Sequence, residues 1–191
     1  MTSFRGFLRG LFGGGKRSKF SSYDPGAPAT DLNVVVKEAM RRGCDGLALT
    51  GLKPGADLRP LAAMTSLRSL ELKEAGLGDD ELSALEGLEQ LEHLDLSGAP
   101  IDGSCLVRIG GLPKLEHLDL SGTGVVDVAV LALRRYPALA TLDLSRTAVT
   151  EAALPHLREL PALKELRLRD LGLEKSAFEV FAGRSTVDVA C

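Results

Sequence analysis

His93 and Asp95 stand two residues apart, and His117 and Asp119 repeat the pair 24 residues later, with Ser97 and Ser121 following each Asp. Imidazole, carboxylate and hydroxyl groups can hold a transition metal or activate a nucleophile. In an extended strand, residues two apart share one face. If neighbouring strands carry the two sets side by side, two imidazoles and two carboxylates fall within a patch of about 5 by 7 Å. The metal reading is weakened by its origin. Both pairs belong to one duplicated octapeptide, LEHLDLSG, at 91–98 and 115–122, and an open sheet face does not converge on a tetrahedral centre. The nucleophile reading lacks a strained elbow or an oxyanion loop. The triple glycine Gly13–Gly15 before Lys16 lacks the spacing of a phosphate loop. We therefore expect no enzyme, no metal and no cofactor.

The elements that must position these residues follow from the same repetition. LRSLELKE begins at Leu67, LATLDLSR at Leu139 and LKELRLRD at Leu163, each in step with the units at Leu91 and Leu115. A fixed period of two dozen residues predicts stacked coils that bury one continuous core. Within the unit from Leu91, Leu94 and Leu96 alternate as a strand while His93, Asp95 and Ser97 face the other way. Leu106 and Ile109 then lie three apart, as one helix face requires. The matching helix positions are Leu82 and Leu85, Val130 and Leu133, Leu154 and Leu157, and Phe178 and Phe181. Pro113, Pro137 and Pro161 stop three of these helices before the next strand. A shorter unit begins at Cys44, with Leu47 and Leu49 in register.

The period and the L-x-x-L-x-L core resemble the leucine-rich repeat family across roughly residues 44–186. The LDLSGT-x-V style resembles its Thr-bearing bacterial variants with 24-residue repeats. The resemblance implies an α/β, right-handed curved solenoid with a concave parallel β-sheet and convex helices. It also implies a side chain at the ninth position that ties down the loop, where this chain has Ala75, Ala99, Thr123, Thr147 and Leu171. Thr can make part of that bond and Ala cannot. Four segments are expected: a basic amphipathic arm at 1–20, a linker at 21–29, an N-terminal capping helix at 30–43, and the solenoid at 44–191. The cap has Thr30 or Asp31 as N-cap. Leu32, Val35, Val36, Ala39 and Met40 form its apolar stripe, and Gly43 ends it.

Outward strand positions predict two columns across the concave sheet. One runs Glu71, Asp95, Asp119, Asp143, Arg167; the other runs Ser69, His93, His117, Thr141, Glu165. Adjacent carboxylates ~4.8 Å apart repel by roughly 1–3 kcal/mol, which a cationic ligand would relieve. Arg146, Arg167 and Arg169 make the far end basic. The partner-binding surface is therefore expected at Glu71, His93, Asp95, His117, Asp119, Asp143, Arg146, Arg167 and Arg169, for a protein partner with basic groups opposite the centre. The bland alternative is a solvated face whose Asp side chains bond nearby hydroxyls and backbone. Acid at the centre repels phosphates, so no nucleic acid is expected. Self-assembly through a C-terminal edge strand is the competing reading.

Composition agrees. Leu supplies 36 of 191 residues and Trp none, as one repeated aliphatic slot demands. Three cysteines without paired spacing indicate neither disulfides nor a zinc site, and point to a reducing, cytoplasmic interior. The net charge of −3 divides unevenly. Residues 1–20 carry Arg5, Arg9, Lys16, Arg17 and Lys19 with no acid, so that stretch is +5 and the rest −8. Phe4, Phe7, Leu8, Leu11 and Phe12 follow helical spacing beside Arg5 and Arg9, with Lys16 and Arg17 after a glycine hinge. That pattern suits a helix lying in an anionic membrane interface, peripheral on the inner face. Docking onto a partner or onto the solenoid, and an inert tail, remain alternatives. Arg9 makes the stretch a poor signal peptide, and no run is long enough to span a bilayer.

Overall fold

In the computed structural model the leucine ladder becomes a sheet of three-residue strands, one per coil; the structure describes residues 20–22, 31–182 and 188–190. The strands are β1 (Phe20–Ser22), β2 (Gly46–Ala48), β3 (Ser69–Glu71), β4 (His93–Asp95), β5 (His117–Asp119), β6 (Thr141–Asp143), β7 (Glu165–Arg167) and β8 (Asp188–Ala190). They pair in parallel and in sequence order. Register follows the repeat without slippage, so Leu70, Leu94, Leu118, Leu142 and Leu166 align as one buried row. A second row, Leu72, Leu96, Leu120, Leu144 and Leu168, is also buried. A slip of one residue would turn either row outward, which is why the apolar alternation specifies the pairing so strongly. The expected linker at 21–29 contributes Ser21 and Ser22 to β1, so the sheet begins one strand earlier than the repeats do.

The convex side carries the expected helices, in short 3-10 and α pieces that run on from one another at 127–135 and at 151–158. The 3-10 segments are Arg59–Ala63, Glu81–Leu85, Leu131–Arg135, Glu151–Ala153 and Lys175–Phe181, and the short α segments are Cys105–Arg108, Asp127–Val130 and Leu154–Arg158. Width supplies a physical reason. An α-helix is about 10–12 Å across with its side chains, while the strands it must follow lie about 4.8 Å apart. Thinner 3-10 turns reduce that mismatch and rise further per residue. The inward positions are unaffected: Leu82, Leu85, Leu106, Ile109, Val130, Leu133, Leu154 and Leu157 are all buried.

Helix α1 (Leu32–Arg41) covers the first coil. Asp31 caps it, its carboxylate accepting from the Asn33 N–H at 2.9 Å. Val36 and Ala39 are buried, whereas Met40 of the predicted stripe lies 48 % exposed. Gly43 ends the segment with φ +64°. Cys44 fills the first core slot, buried as a small apolar side chain.

The turn after each strand has one recurrent demand. Gly51, Gly98 and Gly122 have φ near +70°, and Glu74, Arg146 and Asp170 take the same left-handed conformation at equivalent positions. That geometry lets the N–H reach the next coil, as from Gly98 to the Ser121 carbonyl and from Glu74 to the Ser97 carbonyl, both 2.8 Å. One residue on, the Thr123 and Thr147 hydroxyls donate to the Leu120 and Leu144 carbonyls at 2.6 and 2.7 Å. Ala75 and Ala99 lack that side-chain tie.

Candidate functional site

The two columns predicted from the sequence are present in register. Glu71 faces Asp95, Asp95 faces Asp119, Asp119 faces Asp143 and Asp143 faces Arg167. Ser69, His93, His117, Thr141 and Glu165 align in the same way. Duplication of the octapeptide therefore stacks like on like. The His93 and His117 rings lie parallel, 4.5 Å between centroids and 16° between planes.

Each Asp of the column is held by its own strand. Asp95, Asp119 and Asp143 accept from the N–H groups of Ser97, Ser121 and Ser145, each at 2.9 Å. These bonds fix the carboxylates side by side. They also give the solvated-face alternative part of its content, since the Asp side chains do bond nearby backbone.

The face is far less open than a bare sheet suggests. Asp95 is 2 % exposed, His93 5 %, His117 7 % and Ser69 1 %. Burial disfavours charge, and the titrations follow. Burial, then the neighbouring Asp95 carboxylate, pushes Asp119 up to about 6, against the pull of its bonds to Ser121. Asp95 is raised too, chiefly by burial, although Ser97 and Lys73 oppose the rise. Burial, then the His117 ring and Arg68, brings His93 down to about 4. His117 is lowered, again chiefly by burial. At neutral pH the stacked imidazoles are uncharged, and burial holds Asp95 and Asp119 above the usual carboxylate range.

The far end carries less free positive charge than its arginine count implies. Arg167 lies 2.6 Å from Glu165 and 3.7 Å from Asp143, so it closes the acidic column rather than standing apart from it. Arg146 and Arg169 are exposed at the rim, beyond the strands. The expected membrane residues, Phe4, Arg5, Phe7, Leu8, Arg9, Leu11, Phe12, Lys16 and Arg17, lie outside the described residues. Among the described residues, no group of three or more His, Cys, Asp or Glu side chains is placed to hold a metal ion. Nor is any helix there long and apolar enough to cross a membrane.

Two features escaped the sequence reading. The Ser69 hydroxyl sits at the start of the imidazole column, fully buried and without a hydrogen-bond partner. Its residue type alone carried no signal; only the column position did. Asp79 and Asp127 tie one coil to the next. Asp79 accepts from the Asp102 and Cys105 N–H groups at 2.8 and 2.7 Å, and Asp127 accepts from Thr150 N–H at 2.7 Å. Their separation by two repeat periods was a legible clue.

No protein-family model matches the chain, and no curated protein does. Solved structures do. An internalin from Listeria monocytogenes aligns with TM-score 0.63 at 21 % identity, covering 82 % of this chain and 50 % of that one. Internalin C2 from the same organism gives 0.54 at 22 %, covering 77 % and 70 %. A chain of the mouse RP105/MD-1 complex gives 0.52 at 20 %, covering 76 % and 29 %. This chain thus spans half the length of the first internalin. These neighbours are leucine-rich-repeat structures, and the fold here is the same.

Proposed function

We propose that this leucine-rich-repeat solenoid is a non-catalytic scaffold whose concave strands dock a protein partner bearing basic groups. The observation that supports the reading most is the in-register column of Asp95, Asp119 and Asp143, buried or half-buried and fixed by backbone bonds. Carboxylates at strand spacing repel one another by roughly 1–3 kcal/mol. A guanidinium or ammonium laid along the column relieves that repulsion and favours the ionised form. Such a surface selects cations by charge and by spacing. A solved neighbour with this fold was obtained as a complex, RP105 with MD-1, which agrees with a binding role. Arg146 and Arg169 at the rim would meet acidic groups at the partner's margin.

The basic arm gives the scaffold a place. Phe4, Phe7, Leu8, Leu11 and Phe12 would enter the headgroup boundary of an anionic membrane, with Arg5, Arg9, Lys16 and Arg17 against its phosphates. The complex would then sit on a membrane's cytoplasmic surface.

One paired experiment tests both parts. Cross-linked partners are captured from the native host with the intact chain and with an Asp95→Asn, Asp119→Asn, Asp143→Asn variant. The same two proteins are sedimented with phosphatidylserine vesicles. A basic partner retained by the intact chain and lost by the variant is expected, with both proteins pelleting. Equal capture removes the concave-face reading, and absence of pelleting removes the membrane one.

A further inference from the structure

Burial along the outward columns is graded. Gly46, Ala48, Ser69, His93 and Asp95 on β2 to β4 are buried, with Glu71 half-buried among them; of the outward residues on β5 to β7 only His117 is buried, and Asp119, Thr141, Asp143, Glu165 and Arg167 are half-buried. The deep end is the end at which the chain enters the sheet, at Phe20 in β1. There the outward positions are the small residues Gly46 and Ala48, two strands from His93 and Asp95. Before Phe20 lie 19 residues with five cations, no acid and six large apolar side chains, Met1 among them.

We infer that residues 1–19 fold back in cis onto this half of the concave face, so that the arm is its resident occupant and an incoming partner must displace it. The inference rests on the reading of the acidic column as a cation-docking surface.

Reach permits it. From β1 to β4 is three strand spacings, about 14 Å, and to β5 about 19 Å. Residues 13–19, extended, span up to about 23 Å. The apolar and cationic segment at 4–12 is thereby delivered over β4 and β5.

Spacing and charge are complementary as well. In the helix predicted for the arm, Arg5 and Arg9 stand ~6 Å apart along the axis, close to the ~5 Å between adjacent carboxylates of the column. A helix lying across the strands would set both guanidinium groups along Asp95 and Asp119. The buried Ser69 hydroxyl, which has no hydrogen-bond partner, lies on that path. An intramolecular occupant also acts at high effective concentration, set by a short linker, so a free competitor must be tight or multivalent to replace it.

The test uses the full-length, 15N-labelled chain with one nitroxide. The label sits at Ser3→Cys, with Cys191→Ser to leave it alone as a reactive thiol; Cys44 and Cys105 are buried. Loss of the amide peaks of His93, Asp95, His117 and Asp119 is expected, with recovery in the Asp95→Asn, Asp119→Asn, Asp143→Asn variant. Peaks lost only near β1, or on the convex side, overturn the inference. Peaks lost when nitroxide-bearing 14N chain is mixed with label-free 15N chain also overturn it, in favour of a second copy. A deca-arginine peptide added to unlabelled-thiol protein separates the two readings. If the peptide shifts the concave resonances and the nitroxide spares them, cis docking is wrong and the docking surface stands. If neither acts on them, both fall.

Discussion

At the scale of single residues, the concave face is a place where burial and charge oppose each other. Asp119 titrates at about 6 in the fold against an ordinary value of 3.8. Between those values the folded chain holds more protons than the unfolded one, so this group's contribution to stability falls as pH rises through the window. His93 runs the other way. Its value of about 4 lies below the ordinary 6.5, so its contribution is complete above 6.5 and is lost as pH falls towards 4. The two slopes oppose each other in the whole protein, and only a variant separates them. Asp119→Asn keeps an oxygen for the Ser121 N–H and removes the charge. We expect it to be more stable than the parent at pH 7.5 by on the order of 1 kcal/mol, with the gap narrowing as pH falls from 6 towards 4. Urea unfolding at three pH values reads this directly; a gap of either sign that ignores pH would contradict it.

At the scale of the element, the turn after each strand concentrates the backbone cost. Glu74 has φ +53° where Gly98, its counterpart in the next coil, has φ +70°. An L-residue in this conformation costs roughly 1 kcal/mol relative to glycine. Glu74→Gly should therefore raise stability by about 0.5–1 kcal/mol. Gly98→Ala should lower it by at least as much, because its new methyl would also meet the Glu74 side chain at 3.3 Å. Melting temperatures moving in opposite directions confirm the pair; a shared direction refutes it. These turns were legible only in part. The Gly98 and Gly122 signals stood in the sequence, but Glu74 and Arg146 follow glycine's geometry without its letter. The winding of the convex segments was legible only in part, for a related reason. Leucines three apart fit one face of a 3-10 turn as well as of an α-helix, so Leu82 and Leu85 located the buried side without fixing the winding.

At the scale of the whole molecule, strand order and register were legible because every coil repeats the same apolar alternation, from Leu47 to Leu166. The depth of the concave face was not. His93 and Asp95 look like solvent-facing residues in any strand-by-strand reading, yet both are buried in the assembled sheet. A stack in which each coil touches only its neighbours has nearly additive stability. Deleting 93–116 joins Glu92 to His117 and leaves LEHLDLSG intact across the junction. The shortened chain should fold with the same far-ultraviolet spectrum and lose about 1–3 kcal/mol, one coil's share. A molten or aggregated product would show that the coils are not interchangeable. The duplicated octapeptide thus has a consequence for heredity as well as for shape. Twin stretches of gene invite unequal crossing-over, and each such event would add or remove one whole strand while every surviving junction stays native. Relatives of this protein should therefore differ in length by steps of one coil, and their grip on an extended cationic segment should lengthen or shorten by one carboxylate at a time.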